Sequence, residues 1–139
     1  MIKKNTKLKG FDDLTFNKHQ GYGVEGIQAR LTFGYRDKDN QDQFTISVVS
    51  NTLGGDGLYG NVDMCQDTEQ LDYLNGTYEV AMWFQDRDRM LPLAKYDDVL
   101  AYQTPAQVTQ LMHQAQLNDF AWVCLLHSLR EELEQELNY

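Results

Sequence analysis

The chain reads as an α+β domain: an antiparallel sheet of about four strands with two C-terminal helices packed on one face. Two patterns and their order predict this. Segments of alternating hydrophobicity are confined to the part before residue 93, and helical periodicity, with apolar residues at i, i+3, i+4 and i+7, begins only after residue 104. Strands that all precede the helices leave no crossover helices to build a parallel sheet, so the strands pair antiparallel. The 139 residues fit one domain, long enough to bury roughly two-thirds of the unfolded surface without a disulfide or metal staple. That domain divides into an irregular lead-in (1–26), a sheet region (27–93) and two helices (104–138).

In the lead-in, "FDDLTF" reads as a turn or a short strand, and the glycine-rich "GYGVEG" breaks structure. "IQARLTFGY" then places Ile27, Ala29, Leu31, Phe33 and Tyr35 on one face, a half-buried strand. After the polar turn "RDKDNQD", "FTISVVS" aligns Phe44, Ile46 and Val48, so the two runs form a hairpin. "NTLGGDGLYGN" is a loop, and residues 61–76 read as either a short helix or an acidic surface loop. "TYEVAMWF" is the third strand, with Tyr78, Val80, Met82 and Phe84 facing one way. "MLPLA" reads as a short fourth strand, at an edge because Pro92 cannot donate to a ladder.

The first helix has Thr104 as N-cap, Pro105 as first residue and Gln107 closing a capping box. Its stripe is Val108, Leu111, Met112 and Ala115. "LND" at 117–119 is expected to end it and cap the second helix. That helix is apolar nearly all round from Phe120 to Leu126, which predicts burial of this part. It then narrows to Leu126, Leu129, Leu133 and Leu137 among glutamates, an amphipathic arm suited to lie on the sheet or to join a second copy as a homodimer.

Apolar residues at 42% and aromatics at 12% exclude disorder as the default. No apolar run approaches the ~20 residues of a membrane span, and "MIKKNTKLKG" lacks the apolar core of a signal peptide. Cys65 and Cys124 form no close pair. These features give an expectation of a cytoplasmic protein with reduced thiols, away from membranes. Net charge is −9, from 21 acidic and 12 basic residues. Four cations, Lys3, Lys4, Lys7 and Lys9, sit at the N-terminus, whereas residues 37–79 hold nine acids and one base. Such a surface repels phosphate and argues against direct nucleic-acid binding. It favours a basic protein partner, or one that normally grips DNA.

Few residues suggest chemistry. Adjacent Asp97 and Asp98 could do acid–base work if burial or a neighbour separated their pKa values. The simpler reading is that one caps a turn or pairs with Lys95. Cys124 and His127 share a helix face three residues apart, and His113 could join them if the helices folded back on each other, giving a nucleophile or a zinc site. Against this, a buried cysteine behaves as a small hydrophobe. "DKDNQDQF" is superficially similar to a calcium loop, but Asp42 replaces the sixth-position glycine and Val48 the twelfth-position glutamate. "GGDGLYG" lacks the lysine and the following helix of a phosphate loop. No catalytic residue, metal ligand or cofactor is therefore assigned. The expected interaction residues are Asp63, Asp67, Glu69 and Asp72 in the acidic stretch and Leu133 and Leu137 on the arm.

"FDDLTFNKH", "TYEVAMW" and "YDDVLAYQTPAQVTQLM", in that order, resemble a group of small uncharacterised proteins of bacteriophages and mobile elements of Gram-positive bacteria. The likeness covers about half the chain in scattered blocks. It implies a setting rather than a reaction, and makes the Asp-Asp-Val-Leu segment a fold signature. The chain departs from the group at 61–76 and in its long Glu/Leu helix. A phage-like setting with an acidic surface adds a further expectation, an acidic decoy of anti-restriction or anti-CRISPR type. An enzyme using Asp97, Asp98, Cys124 or His127 is the third.

Overall fold

The fold is described from a computed structural model, which describes residues 8–19, 26–34, 43–52, 60, 62, 71–84, 90–94 and 97–137. Five strands form one antiparallel sheet in sequence order: β1 (Asn17–His19), β2 (Gly26–Gly34), β3 (Gln43–Asn51), β4 (Tyr78–Phe84) and β5 (Leu100–Gln103). A helix, α1 (Pro105–Leu137), follows. The α+β class and antiparallel sheet are as the sequence predicts.

Register follows from the alternation. Phe33 pairs with Phe44 and Phe44 with Phe84; Leu31 pairs with Ile46 and Ile46 with Met82; Ala29 pairs with Val48 and Val48 with Val80. Directly opposed residues share a face, so these side chains build one apolar surface, which α1 covers with Val108, Met112, Ala115, Trp122 and Val123. A shift of one residue would turn the whole set outward. The opposite face carries Gln28, Arg30, Thr32, Thr45, Ser47 and Trp83, with the Thr32 and Thr45 hydroxyls 3.0 Å apart and the Arg30 guanidinium 5.3 Å from the Trp83 ring centre.

At the N-terminal edge the expected turn forms and a short strand is added, while the other edge departs from expectation. The lead-in contains a 3₁₀ turn at Phe11–Asp13 and the three residues of β1. The segment expected as the fourth strand is not one. Leu91 N–H donates to the Met82 carbonyl (2.7 Å), but Leu93 N–H turns back to Leu91 O (2.9 Å), a tight three-residue turn about Pro92. The edge is β5 instead, from the approach to the helix. It pairs Leu100 with Val80 and Gln103 with Tyr78. Two residues thus oppose the single Glu79, a bulge, and Tyr102 sits there at φ 54°. Within 61–76, Tyr73–Asn75 is a 3₁₀ turn; residues 61 and 63–70 lie outside the described residues.

The helical region starts as predicted. Gln107 N–H donates to Thr104 Oγ1 (3.2 Å) and Thr104 N–H to Gln107 Oε1 (2.9 Å), the reciprocal capping box. The helix does not stop at 117–119, however. Helical hydrogen bonding runs through to Leu137. Nor is 120–126 buried all round: Trp122 and Val123 are buried, but Cys124 and Leu125 are exposed.

Length explains this. Near Thr109 the helix meets Phe11, whose ring packs on Tyr78 (5.1 Å) at the start of β4; Trp122 packs on Phe44 (5.9 Å), beside Phe84 at its end. Residues 109 to 122 cover about 20 Å of helix, and residues 78 to 84 about 20 Å of strand. Past Val123 the contacts change: Leu126 still packs on the edge of the core, and the last turns lie against residues 92–94 and 97–98 through Arg130, over about 20 Å of helix from 124 to 137.

The N-terminal segment closes the near end. Gln116, buried, accepts from Lys9 N–H (2.8 Å) and donates to Lys9 O (2.8 Å) and Met112 O (3.0 Å). Thr109 Oγ1 accepts from Phe11 N–H (3.0 Å). Gly10 lies between these contacts, where a Cβ would stand 2.9 Å from Thr109 Cγ2.

Candidate functional site

The C-terminal part of α1 is where exposure and sequence pattern conflict. Leu125 and Leu129 are each 54% exposed and Leu117 is 47% exposed. In a helix that otherwise buries its apolar stripe, they form a second, solvent-facing stripe. Sequence reasoning named Leu129 on the arm but missed Leu125, because a run apolar all round signals burial only where a second surface exists to cover it.

The arm is fastened on one side by the turn that contains Asp97 and Asp98. The Asp97 carboxylate accepts from the N–H groups of Asp98 (2.7 Å) and Val99 (3.3 Å), a local side-chain turn. The Asp98 carboxylate meets Arg130 Nη1 at 3.0 Å, and Arg130 Nη2 donates to the carbonyls of Ala94 (2.9 Å) and Asp97 (2.7 Å). One aspartate thus caps a turn, as the simpler reading has it. The cation for the other is Arg130, thirty-two residues away; Lys95 lies outside the described residues. The signal in sequence was Arg130 itself, the only Lys or Arg between residues 105 and 137.

Between this turn and the arm lies a groove of about 360 Å³. Pro92, Leu93 and Ala94 form one wall, and Leu126, Leu129 and Leu133 the other. Arg130 closes it on the turn side, and Glu132 and Glu136 border it. A volume of this order takes a few side chains of a partner. Leu133, expected as an interaction residue, lines the groove, and Leu137, the other, is the last helical residue.

Asp72 accepts from Asn75 Nδ2 (2.9 Å) in its own turn, while Asp63, Asp67 and Glu69 lie outside the described residues. Cys124 and His127 are both exposed, correcting the expected burial of Cys124. His113 lies eleven residues earlier on the same continuous helix, about 16 Å along its axis, so it does not meet them. Among the described residues no group of three or more His, Cys, Asp or Glu side chains is placed to hold a metal ion. No described helix is long and apolar enough to cross a membrane.

Compared with known protein families, curated proteins and solved structures, the chain matches none.

Proposed function

We propose that the protein is a non-catalytic binding domain whose working surface is the C-terminal arm of α1, acting on a protein partner in the cytoplasm. The observation that carries this is the exposure of Leu125 and Leu129 on that arm. Leu125 and Leu129 on this stretch add little to the core while they stay exposed. Exposed leucines rimmed by polar residues are what a contact surface requires. The Arg130 clamp supports the reading, because it fixes the arm's direction and lowers the entropy lost on binding. The resemblance to phage and mobile-element proteins supports that setting. The test is retention of partners from host lysate by the wild type and by Leu129→Asp, an exposed site where folding should survive. Partners held by the wild type and released by the variant support the reading; identical retention overturns it.

The second reading is the acidic decoy. Glu131, Glu132, Glu134 and Glu136 are all exposed at the end of α1, and favour it. A decoy needs carboxylates spaced like phosphates, one per ~1.7 Å of duplex axis, over an extended face. These four span only about 8 Å of helix, so the leucine surface is the better-supported reading. Competition with duplex DNA for a DNA-handling host protein at low salt distinguishes the two; its absence removes the decoy.

A further inference from the structure

Resting on the reading of the arm as a binding surface, we infer that its groove takes a basic amphipathic helix from another protein. The partner's apolar side seats on Leu126, Leu129 and Leu133, and its Lys or Arg side chains face Glu132 and Glu136.

The groove joins an apolar floor to an acidic border. Glu132 and Glu136 stand four residues apart on one helix face, where like charges repel each other, a repulsion that destabilises the helix. No cation of α1 offsets it. The one Lys or Arg in the helix, Arg130, is held by Asp98 and two carbonyls on the turn side. A cationic partner adds an opposite charge that α1 itself does not offer Glu132 and Glu136, and leucines at 126, 129 and 133, spaced three and four residues apart, match the spacing of a packed helix.

A second copy of the chain fits this border poorly. Two arms side by side and parallel would set glutamate on glutamate. Antiparallel about Leu125, they would set Glu132 and Glu136 against Asn118 and Gln114, neither of them cationic. Like charges disfavour the parallel pairing, and the antiparallel one gives the glutamates no cation.

The test uses the full chain and a labelled synthetic peptide of about 18 residues, Leu on one helical face and Lys on the other. Binding is followed by anisotropy in about 0.15 M salt. Two control peptides carry Glu in place of Lys, or the same Leu and Lys scrambled to abolish the apolar face. The Leu/Lys peptide is expected to bind at least roughly tenfold more tightly than either control. Leu129→Asp and the double variant Glu132→Lys/Glu136→Lys, each checked for native circular dichroism, should weaken it at least roughly tenfold. No binding, equal binding of the scrambled peptide, or variants that bind as well as the wild type would each overturn the inference. So would a wild-type dimer that Leu129→Asp turns to monomer, since a second copy would then fill the groove. If Leu129→Asp loses its lysate partners while the Leu/Lys peptide fails to bind, the arm remains the binding surface and only the basic-helix inference falls. If Leu129→Asp keeps every lysate partner, the arm reading itself falls.

Discussion

The carboxamide of Gln116 pairs with both backbone groups of Lys9, accepting from its N–H and donating to its C=O, across 107 residues of sequence. The pair acts like one rung of a ladder between a helix and an extended segment. It is what holds the N-terminal segment over the near end of the sheet. Gln116→Leu keeps the volume and removes the polar partners, leaving two part-buried backbone groups unsatisfied. We expect a loss of about 1–3 kcal/mol, read as a lower urea midpoint with an unchanged slope.

Gly10 supplies a second check on the same contact. Gly10→Ala should destabilise the fold, because the new methyl would meet Thr109 Cγ2 at 2.9 Å. Thr109→Ser removes that methyl but keeps the hydroxyl that accepts from Phe11 N–H. The two substitutions should therefore couple, with Gly10→Ala costing less in the Thr109→Ser background by about 0.5 kcal/mol or more. Additive costs in the double-mutant cycle would show that the contact is not the cause.

Arg130 should matter more than its ion pair. Asp98 is 39% exposed and the Arg130 side chain 23%, so the pair is screened by solvent and Asp98→Asn should cost only about 0–1 kcal/mol. Arg130→Met also abandons the carbonyls of Ala94 and Asp97. It should cost more, about 1–3 kcal/mol, and should raise hydrogen exchange in the last turns of α1. Equal costs for the two variants would mean the carbonyl contacts hold nothing.

Tyr78 sets a limit at alkaline pH. Its hydroxyl donates to Tyr73 O (2.7 Å). Burial first, then the negative charge of nearby Tyr73 and Asp72, raises its pKa well above the ordinary tyrosine value. The unfolded phenol ionises near pH ~10 while the folded one keeps its proton. The folded state then binds more protons, and the stability contributed is complete below pH ~10 and declines as pH rises above it. Tyr78→Phe should be less stable at neutral pH by about 1 kcal/mol and should flatten the alkaline decline. A decline just as steep in the variant would assign it to other groups.

The central strands were legible because each buries one face and so prints a period of two. Ile27, Ala29 and Phe33, like Tyr78, Val80 and Met82, needed only that rule. The edges were not legible for the same reason. Asn17–His19 is too short to print a period, and a bulge at Tyr102 breaks the alternation in β5. Leu91 and Leu93 imitated a strand, but the turn about Pro92 removes the ladder. At the helix, Thr104 and Gln107 announced the start. Leu117, Asn118 and Asp119 suggested a stop, but the helix continues through them. The site was half legible: the leucines and glutamates of the arm were visible in the sequence, including Leu133. The opposite wall at 92–94 and the Arg130 clamp were not, because both depend on contacts across more than thirty residues.

The most direct test of the arm as the working surface is a paired pull-down from nuclease-treated cell lysate, wild type against Leu129→Asp, at high salt. High salt screens the acidic surface and leaves apolar contacts. The account predicts a protein retained by the wild type and lost from a correctly folded Leu129→Asp variant. A retained set unchanged by the substitution, or no protein retained by the wild type, would contradict it.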